Sequence, residues 1–365
     1  MRILLVTTGL ALGGAERQVM DLAERLAGRG HEVAIAYLVG AAELRPQPSV
    51  ALLPMGFTKS PLGLIGGCWR LGRLVRDWQP DVVHSHMVDA NLLTRLVRLI
   101  SPMRRLVCTA HNTNEGGRWV SLAYRLTDRL ADLSTNVSQE AVDAFERNGA
   151  VPKGRMLAVL NGIDLRRFLD APELRAKSRD ALCPDRTRRL LLSVGRLVEQ
   201  KNHAGLLRVF AGFAARCPDV DLWIAGDGPL RAALRRQCDD LGLGGRVVWL
   251  GARADVPDLM RAADAFVLSS HFEGFGLVVA EAMASGTPVV ATDAGGVAEV
   301  MAGTGFLVPV DDETALAHAL DQVFALGGEL RMARVAAARR SVEDRLDIER
   351  VVETWLKLYQ GEIVC

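Results

Sequence analysis

Short, continuous apolar runs recur along this chain, and each ends in a loop rich in Gly, Ser, His or Asp. "RILLVTT", "HEVAIAYLV", "PDVVHSHM", "RLVCTAHN" and "LSTNVS" fill the first half in this way, with helical stretches between them. The pattern then begins again with "RRLLLSVGRL", "VDLWIAGDGP", "RVVWLGA", "AFVLSS" and "TPVVATDAGG". Runs that are apolar throughout, rather than alternating, belong to strands buried on both faces, which means parallel sheets covered by helices. The expected architecture is therefore α/β, with two doubly wound parallel sheets. Residues 1–165 form the first domain and 166–343 the second, joined near "NGIDLRRFLDAPELRAK". A last helical stretch, about 344–361 within residues 344–365, has no strand after it and is expected to pack back on the first domain. In such sheets ligands bind outside the carboxyl ends of the strands, where nearly every polar or glycine-rich signal here lies. Two such domains facing each other place a ligand in an interdomain cleft.

Composition narrows the classes. With 365 residues, 49% hydrophobic, 24% charged and a net charge of +1, the chain has the make-up of a folded, soluble protein, and its charge gives no argument for a nucleic-acid partner. The small basic excess lies in residues 51–118, which carry 9 Lys and Arg against 4 Asp and Glu. The six cysteines (Cys68, Cys108, Cys183, Cys217, Cys238 and Cys365) show no CxxC spacing, which argues against a zinc knot or a disulfide framework. The start, "MRILLVTTGLALGGAERQ", fits a buried first strand better than a signal peptide. No window of eighteen uninterrupted apolar residues suggests a transmembrane helix. The expected location is the cytoplasm.

The second half carries the densest chemistry. In "SVGRLVEQKN", Arg196 directly follows a strand and Lys201 comes five residues later. An Arg fork and a Lys point charge at a crevice edge suit two adjacent phosphates; the spacing alone fits two solvated surface cations as well. In "HFEGFGLVVAEAMASG" (271–286), Glu273 lies in a glycine turn and Glu281 just inside the following helix. The amides of Phe275, Gly276 and Leu277 would open that helix and offer an anion site. Glu281 can accept from two neighbouring hydroxyls, as on a ribose, and Glu273 can do the same for another polyol. A carboxylate that only complements the helix dipole remains the plain alternative for Glu281. The spacing is poor for a metal cage or for a glycosidase pair.

In the first half, Gly13 and Gly14 open the first helix and form a second amide cluster, without the GxGxxG of a dinucleotide fold. His84 and His86 end one strand and point to the same side of it, and His111 and Asn112 end another. Any of these histidines could equally be a satisfied structural group; His111, at the strand end beside Asn112, is the stronger functional candidate. No further ligand has the spacing of a zinc site.

Taken in order, "GGAE", "HSH", "AHN", "NGID", "SVGRLVEQKN", "AGDGPL" and "EGFGLVVAEAMASGTPVVATDAGG" resemble the retaining glycosyltransferases of family 4, which have the GT-B fold. The resemblance covers nearly the whole chain, and Glu273 to Glu281 is its E-x7-E pattern. It implies roles by position. Glu281 would hold the donor ribose and Glu273 the transferred sugar; Arg196 and Lys201 would clamp the diphosphate. Phe275, Gly276 and Leu277 would give backbone contacts, and Gly14 an amide from the first domain. His111 would lie beside the transferred sugar, and Arg253 and Val256 near the base. His86 and Asn112 are expected on the acceptor side. The catalytic set is then His111, Glu273, Arg196 and Lys201.

The implied reaction moves a hexosyl or N-acetylhexosaminyl group from a nucleoside-diphosphate sugar to a glycan or a lipid-linked saccharide in cell-surface polysaccharide synthesis. Family frequency puts UDP ahead of GDP. Fixed cations and amides can stabilise the departing diphosphate without a metal or other cofactor, and no carboxylate of the first half stands as an obvious nucleophile. The expected course is a same-face, ion-pair-like displacement with retention. A nucleotide-sugar 2-epimerase of the same fold and a non-catalytic binding subunit are the alternatives. The stretches "GGCWRLGRLVRDW" and "LLTRLVRLISPMRRL" set Arg70, Arg73, Arg76, Arg95, Arg98, Arg104 and Arg105 among Leu, Ile and Trp. They read either as ordinary covering helices or as a peripheral contact with the anionic inner face of the cytoplasmic membrane, which would suit a polyprenyl-diphosphate-linked acceptor.

Overall fold

The computed structural model describes residues 1–362 apart from 12, 59, 114, 115, 170, 184 and 186; Cys365 lies outside the described residues. The chain divides into two compact units, one of Met1–Ile163 with Ile348–Cys365 and one of Asp164–Asp347.

Unit 1 is built on seven parallel strands: β1 (Arg2–Thr7), β2 (Glu32–Tyr37), β3 (Val50–Pro54), β4 (Val82–His86), β5 (Leu106–Ala110), β6 (Leu133–Asn136) and β7 (Met156–Ala158). Their order across the sheet is β3-β2-β1-β4-β5-β6-β7, so the winding reverses between β1 and β4. The helices are α1 (Gly14–Gly28), α2 (Pro61–Trp78), α3 (Val88–Val97), α4 (Arg118–Thr127) and α5 (Gln139–Arg147). Successive side chains of a strand face opposite sides, and the core divides accordingly. Ile3, Leu5, Val33, Ile35, Val82 and Val107 pack on one side with α1 and the last helix of the chain. Leu4, Val6, Ala34, Ala36, Val83 and Leu106 pack on the other with α2 and α3.

Unit 2 has six parallel strands: β8 (Arg189–Val194), β9 (Val220–Ala225), β10 (Val247–Gly251), β11 (Ala265–Leu268), β12 (Val289–Thr292) and β13 (Phe306–Val308), ordered β10-β9-β8-β11-β12-β13. Its reversal lies between β8 and β11. Its helices are α6 (Pro172–Leu182), α7 (His203–Arg216), α8 (Arg231–Asp240), α9 (Val256–Ala262), α10 (Leu277–Ala284), α11 (Val297–Met301), α12 (Glu313–Phe324) and α13 (Gly328–Arg345).

The last stretch is not one helix from about 344. α13 ends at Arg345, and α14 (Ile348–Gln360) starts three residues later. α14 belongs to unit 1. It buries Ile348, Val351, Val352, Trp355, Leu358 and Tyr359, the spacing of one helical face. Six such side chains contribute on the order of 10 kcal/mol of apolar burial, an upper figure because the unfolded chain also hides apolar surface. The Ile348 amide donates to the Ile163 carbonyl at 3.1 Å, and Arg29 binds the Glu349 carboxylate at 2.9 Å. A Cβ at Gly162 would fall 2.7 Å from the Ile348 Cα, so the glycine of "NGID" is the residue that lets the two segments meet. Among the described residues, no helix is long and apolar enough to cross a membrane.

Candidate functional site

In both units most candidate residues follow the carboxyl ends of the strands at the reversal, where a doubly wound sheet leaves room for a ligand; His111 and Asn112 follow the neighbouring β5, and Arg253 and Val256 follow the edge strand β10. In unit 2 these strands are β8 and β11. Arg196 follows β8; it is exposed and its guanidinium has no hydrogen-bond or ion-pair partner among the described residues. Lys201 lies in a single 3₁₀ turn, Glu199–Lys201, after which Asn202 turns left-handed (φ 48°) and caps α7 by accepting from the Gly205 amide at 3.0 Å. Three bonds fasten this turn to the segment after β11. Ser269 Oγ donates to the Lys201 carbonyl at 3.0 Å, the His271 amide donates to the Gln200 carbonyl at 2.9 Å, and Gln200 Nε2 donates to the Phe272 carbonyl at 2.9 Å.

The result is a close pair: Lys201 Nζ is 2.6 Å from Glu273 Oε1, which also accepts from Ser270 Oγ at 2.6 Å. Glu273 is buried. A charge held there is tolerable because its partner and a hydroxyl satisfy it; removing one partner of such a pair typically costs about 3–5 kcal/mol. The structure thus joins two residues that the sequence offers separately, and it adds Ser270, whose only sequence signal is a polar pair at a strand end.

Gly276 (φ 87°) caps α10 in the left-handed region that favours glycine, and Phe275 beside it is buried. Leu277 opens α10, and Glu281 is half-buried one turn further on. Arg253 is exposed and its fork holds the Asp255 carboxylate, with Nε to Oδ1 at 2.7 Å; Val256 opens α9. Beside the Lys201 turn, His203 is buried, and desolvation, followed by the charge of Lys201, lowers its pKa to about 4.

In unit 1 the flanking strands are β1 and β4. Gly13 caps α1 and Gly14 begins it. A Cβ at Gly13 would lie 2.3 Å from Glu16 Oε2, so a carboxylate of this chain already occupies the space over that helix start, where it complements the dipole. His111 and His86 meet: His86 Nδ1 is 3.1 Å from His111 Nε2. His86, expected on the acceptor side, is 1% exposed. The Asn112 carbonyl accepts from Asn136 Nδ2 at 3.3 Å. Burial lowers the pKa of His111 to about 4 and holds His84 and His86 well below the usual imidazole value, so all three are neutral at pH 7. Of the arginines expected on a basic surface, Arg95 is fully buried against Asp128, Ser134 and the Tyr124 carbonyl. Burial of that kind overrides the periodicity that places it among surface cations. No group of three or more His, Cys, Asp or Glu among the described residues is arranged to hold a metal ion.

Comparison with known proteins agrees with this layout. Residues 12–167 match the family described as "Glycosyltransferase Family 4", and residues 175–341 match "Glycosyl transferases group 1". A phosphatidyl-myo-inositol mannosyltransferase of Mycolicibacterium smegmatis is 31% identical over 381 aligned positions, covering 95% of this chain and 90% of that protein. The lipopolysaccharide core biosynthesis glycosyltransferase LpsE of Rhizobium meliloti is 33% identical, covering 95% of each. Among solved structures, HepE of Anabaena in complex with UDP superposes with a TM-score of 0.86 at 25% identity over 99% of this chain and 100% of that one. The epimerase and binding-subunit alternatives give way to these matches. Both units and nearly the full length carry the likeness, and this chain belongs to glycosyltransferase family 4: it is a glycosyltransferase with the GT-B fold.

Proposed function

We propose that this enzyme transfers a hexosyl or N-acetylhexosaminyl group from a nucleoside-diphosphate sugar, with UDP the first candidate, to a glycan or lipid-linked saccharide in bacterial cell-surface glycan synthesis, with retention of configuration and without a metal. The observation that carries the donor reading is the Lys201–Glu273 pair, fixed at 2.6 Å by a stapled turn with exposed Arg196 on the same loop. Lys201 and Arg196 supply positive charge where a diphosphate leaving group gains negative charge, and the amides that open α10 add fixed donors. Held by Lys201 and Ser270, Glu273 is a hydrogen-bonding carboxylate suited to sugar hydroxyls rather than a nucleophile. Glu281 takes the ribose. The sugar then leaves with its bonding pair on the diphosphate, and the acceptor oxygen attacks from the same face and gives its proton to that phosphate. The UDP bound to HepE and the lipopolysaccharide role of LpsE support the nucleotide and the pathway class.

A thermal-shift screen against UDP, GDP and ADP tests the donor half. The right nucleotide stabilises by about 2.7 kcal/mol at a hundredfold excess over its Kd. Absence of any shift at millimolar nucleotide overturns the reading. The anomeric configuration of the first-formed product, read by NMR, decides retention.

The acceptor reading includes a membrane. α2, the turn after α3, and α4 expose Ile65, Trp69, Leu99, Trp119 and Leu126, with Trp119 83% exposed, and Arg73, Arg118 and Arg125 on these helices and Arg129 just past α4 are exposed as well. Apolar side chains interleaved with cations suit the headgroup region of an anionic bilayer. Co-sedimentation with anionic but not with neutral vesicles, weakened in Trp119→Ser, is the expected outcome; equal recovery with both vesicle types contradicts it.

A further inference from the structure

The carboxyl-terminal part of the unit 1 sheet carries a row of polar side chains on the face that α14 covers. His84 and His86 come from β4, Thr109 from β5 and Thr135 from β6. Such a row needs partners, because an unsatisfied buried polar group costs about 1–3 kcal/mol. His84 has two: Tyr359 Oη at 2.7 Å from Nδ1 and Thr109 Oγ1 at 2.7 Å from Nε2. Thr109 Oγ1 in turn lies 2.6 Å from Thr135 Oγ1. The Trp355 ring stands 4.5 Å from the His84 ring, centroid to centroid. His84 is thus held by Tyr359, Thr109 and Trp355. The His86 ring rests on it with centroids 4.0 Å apart and reaches His111 through Nδ1.

The second nitrogen of His86 decides how this bond is made. Nε2 is buried with no partner among the described residues. A buried N–H without an acceptor is rarer and costlier than a bare lone pair. The proton of neutral His86 therefore belongs on Nδ1, which donates to His111 Nε2. His111 accepts there and carries its own proton on Nδ1. We propose that His86 is a positioning residue for sugar transfer: it fixes the ring of His111 and its Nδ1–H tautomer, so that His111 meets the sugar as a hydrogen-bond donor. This rests on the assignment of His111 to the transferred sugar. His84, Tyr359 and Trp355 form the platform under His86, which brings the last helix of the chain into the same assembly.

The test uses the full chain labelled with ¹⁵N at its histidines. Long-range ¹H–¹⁵N NMR reads the tautomer of His111 without any ligand, and Nε2 is expected to be the unprotonated nitrogen. Protonated Nε2 in the wild-type protein overturns the positioning claim by itself. Turnover is followed as hydrolysis of UDP-glucose, UDP-N-acetylglucosamine or GDP-mannose, whichever the wild type consumes. His86→Leu is expected to lower kcat by about tenfold to a hundredfold with little change in KM, the size of effect a misplaced catalytic group produces. His86→Asn places an amide N–H where Nδ1 stands and is expected to restore kcat towards wild type, which separates lost positioning from a damaged fold. Equal kcat loss in His86→Leu and His86→Asn, with both variants folded by circular dichroism, overturns the proposal. Undiminished turnover in His111→Ala overturns the underlying assignment of His111, a result distinct from the tautomer readout.

Discussion

Mild acid should loosen unit 1 before unit 2. The perturbation is a drop from pH 7 to pH 5. His84, His86 and His111 are buried and neutral in the fold, whereas in the unfolded chain each titrates near 6.5. The unfolded state therefore binds more protons below pH 6.5, and the stability of the fold falls as pH falls through the window from 6.5 down to the folded pKa. For His111 the folded value is about 4, so at pH 5 it has lost one and a half pH units of linkage, about 2 kcal/mol. His84 and His86, also lowered chiefly by desolvation, act in the same direction, as does partly buried His31. Unit 2 has buried His203 at about 4, worth about 2 kcal/mol at pH 5. The depressed carboxylates, such as Asp81, Asp219 and Asp255, start from 3.8 and lose their contribution only at lower pH, outside this window. Against a domain stability of about 5–15 kcal/mol these losses are visible. Urea titration at pH 7, 6 and 5, followed by hydrogen exchange on peptides from 106–136 and 189–225, gives each unit its own midpoint. The midpoint of unit 1 should fall by more than that of unit 2. A unit 1 midpoint that is unchanged between pH 7 and pH 5 refutes the neutral histidine row.

The other predictions concern the donor residues and the docking of α14. Lys201→Met leaves Glu273 buried with only Ser270, and should destabilise unit 2 by about 3–5 kcal/mol, read by urea denaturation; the double variant Lys201→Met/Glu273→Gln should recover part of that loss. Glu281→Ala should weaken nucleotide binding by about tenfold or more in calorimetry, whereas Glu273→Ala should mainly lower kcat; equal effects in both assays contradict the separate roles. Trp355→Ala removes a buried indole from beneath His84 and should cost about 3–5 kcal/mol in unit 1, checked by the same exchange measurement.

The sheets were legible because their central strands open on apolar runs and are buried: β1, β4 and β5 in unit 1, and β8, β11 and β12 in unit 2. β3, β7 and β13 escaped notice. All three are edge strands, with a neighbour on one side only; "MLA" and "FLV" are too short to show a pattern, and "VALLP" is mostly only partly buried and ends in Pro. The motif residues stood out for a related reason: Arg196, Lys201, Glu273 and Glu281 are charged groups in the segments that follow two central strands, β8 and β11. Their mutual arrangement did not show, since the Lys201–Glu273 contact joins residues 72 apart. Tyr359 was hidden by its own regularity. On an amphipathic helix it reads as one more core position, and only the fold reveals that its hydroxyl meets His84. Arg95 misled in the opposite sense, because a cation on a helix reads as surface until its buried carboxylate is seen.

The chain leaves unit 1 after Ile163 and returns at Ile348, and those two residues are hydrogen-bonded to each other. Everything between them is unit 2, so α14 docks by closing a loop of that length. If unit 2 were unfolded, the closure would cost on the order of 4 kcal/mol in chain entropy, from the logarithmic dependence on loop length. Folded, unit 2 acts as a clasp that holds its two ends and removes most of that cost. During synthesis the order is fixed as well. At roughly 5–20 residues per second, many seconds separate the last strand of unit 1 from the helix that covers its histidines. The nascent sheet waits with His84 and its apolar neighbours uncovered, and the folding of unit 2 makes the final docking step short. The two units are thus thermodynamically linked through the backbone: a substitution deep in unit 2 that unfolds it should also loosen α14 from unit 1.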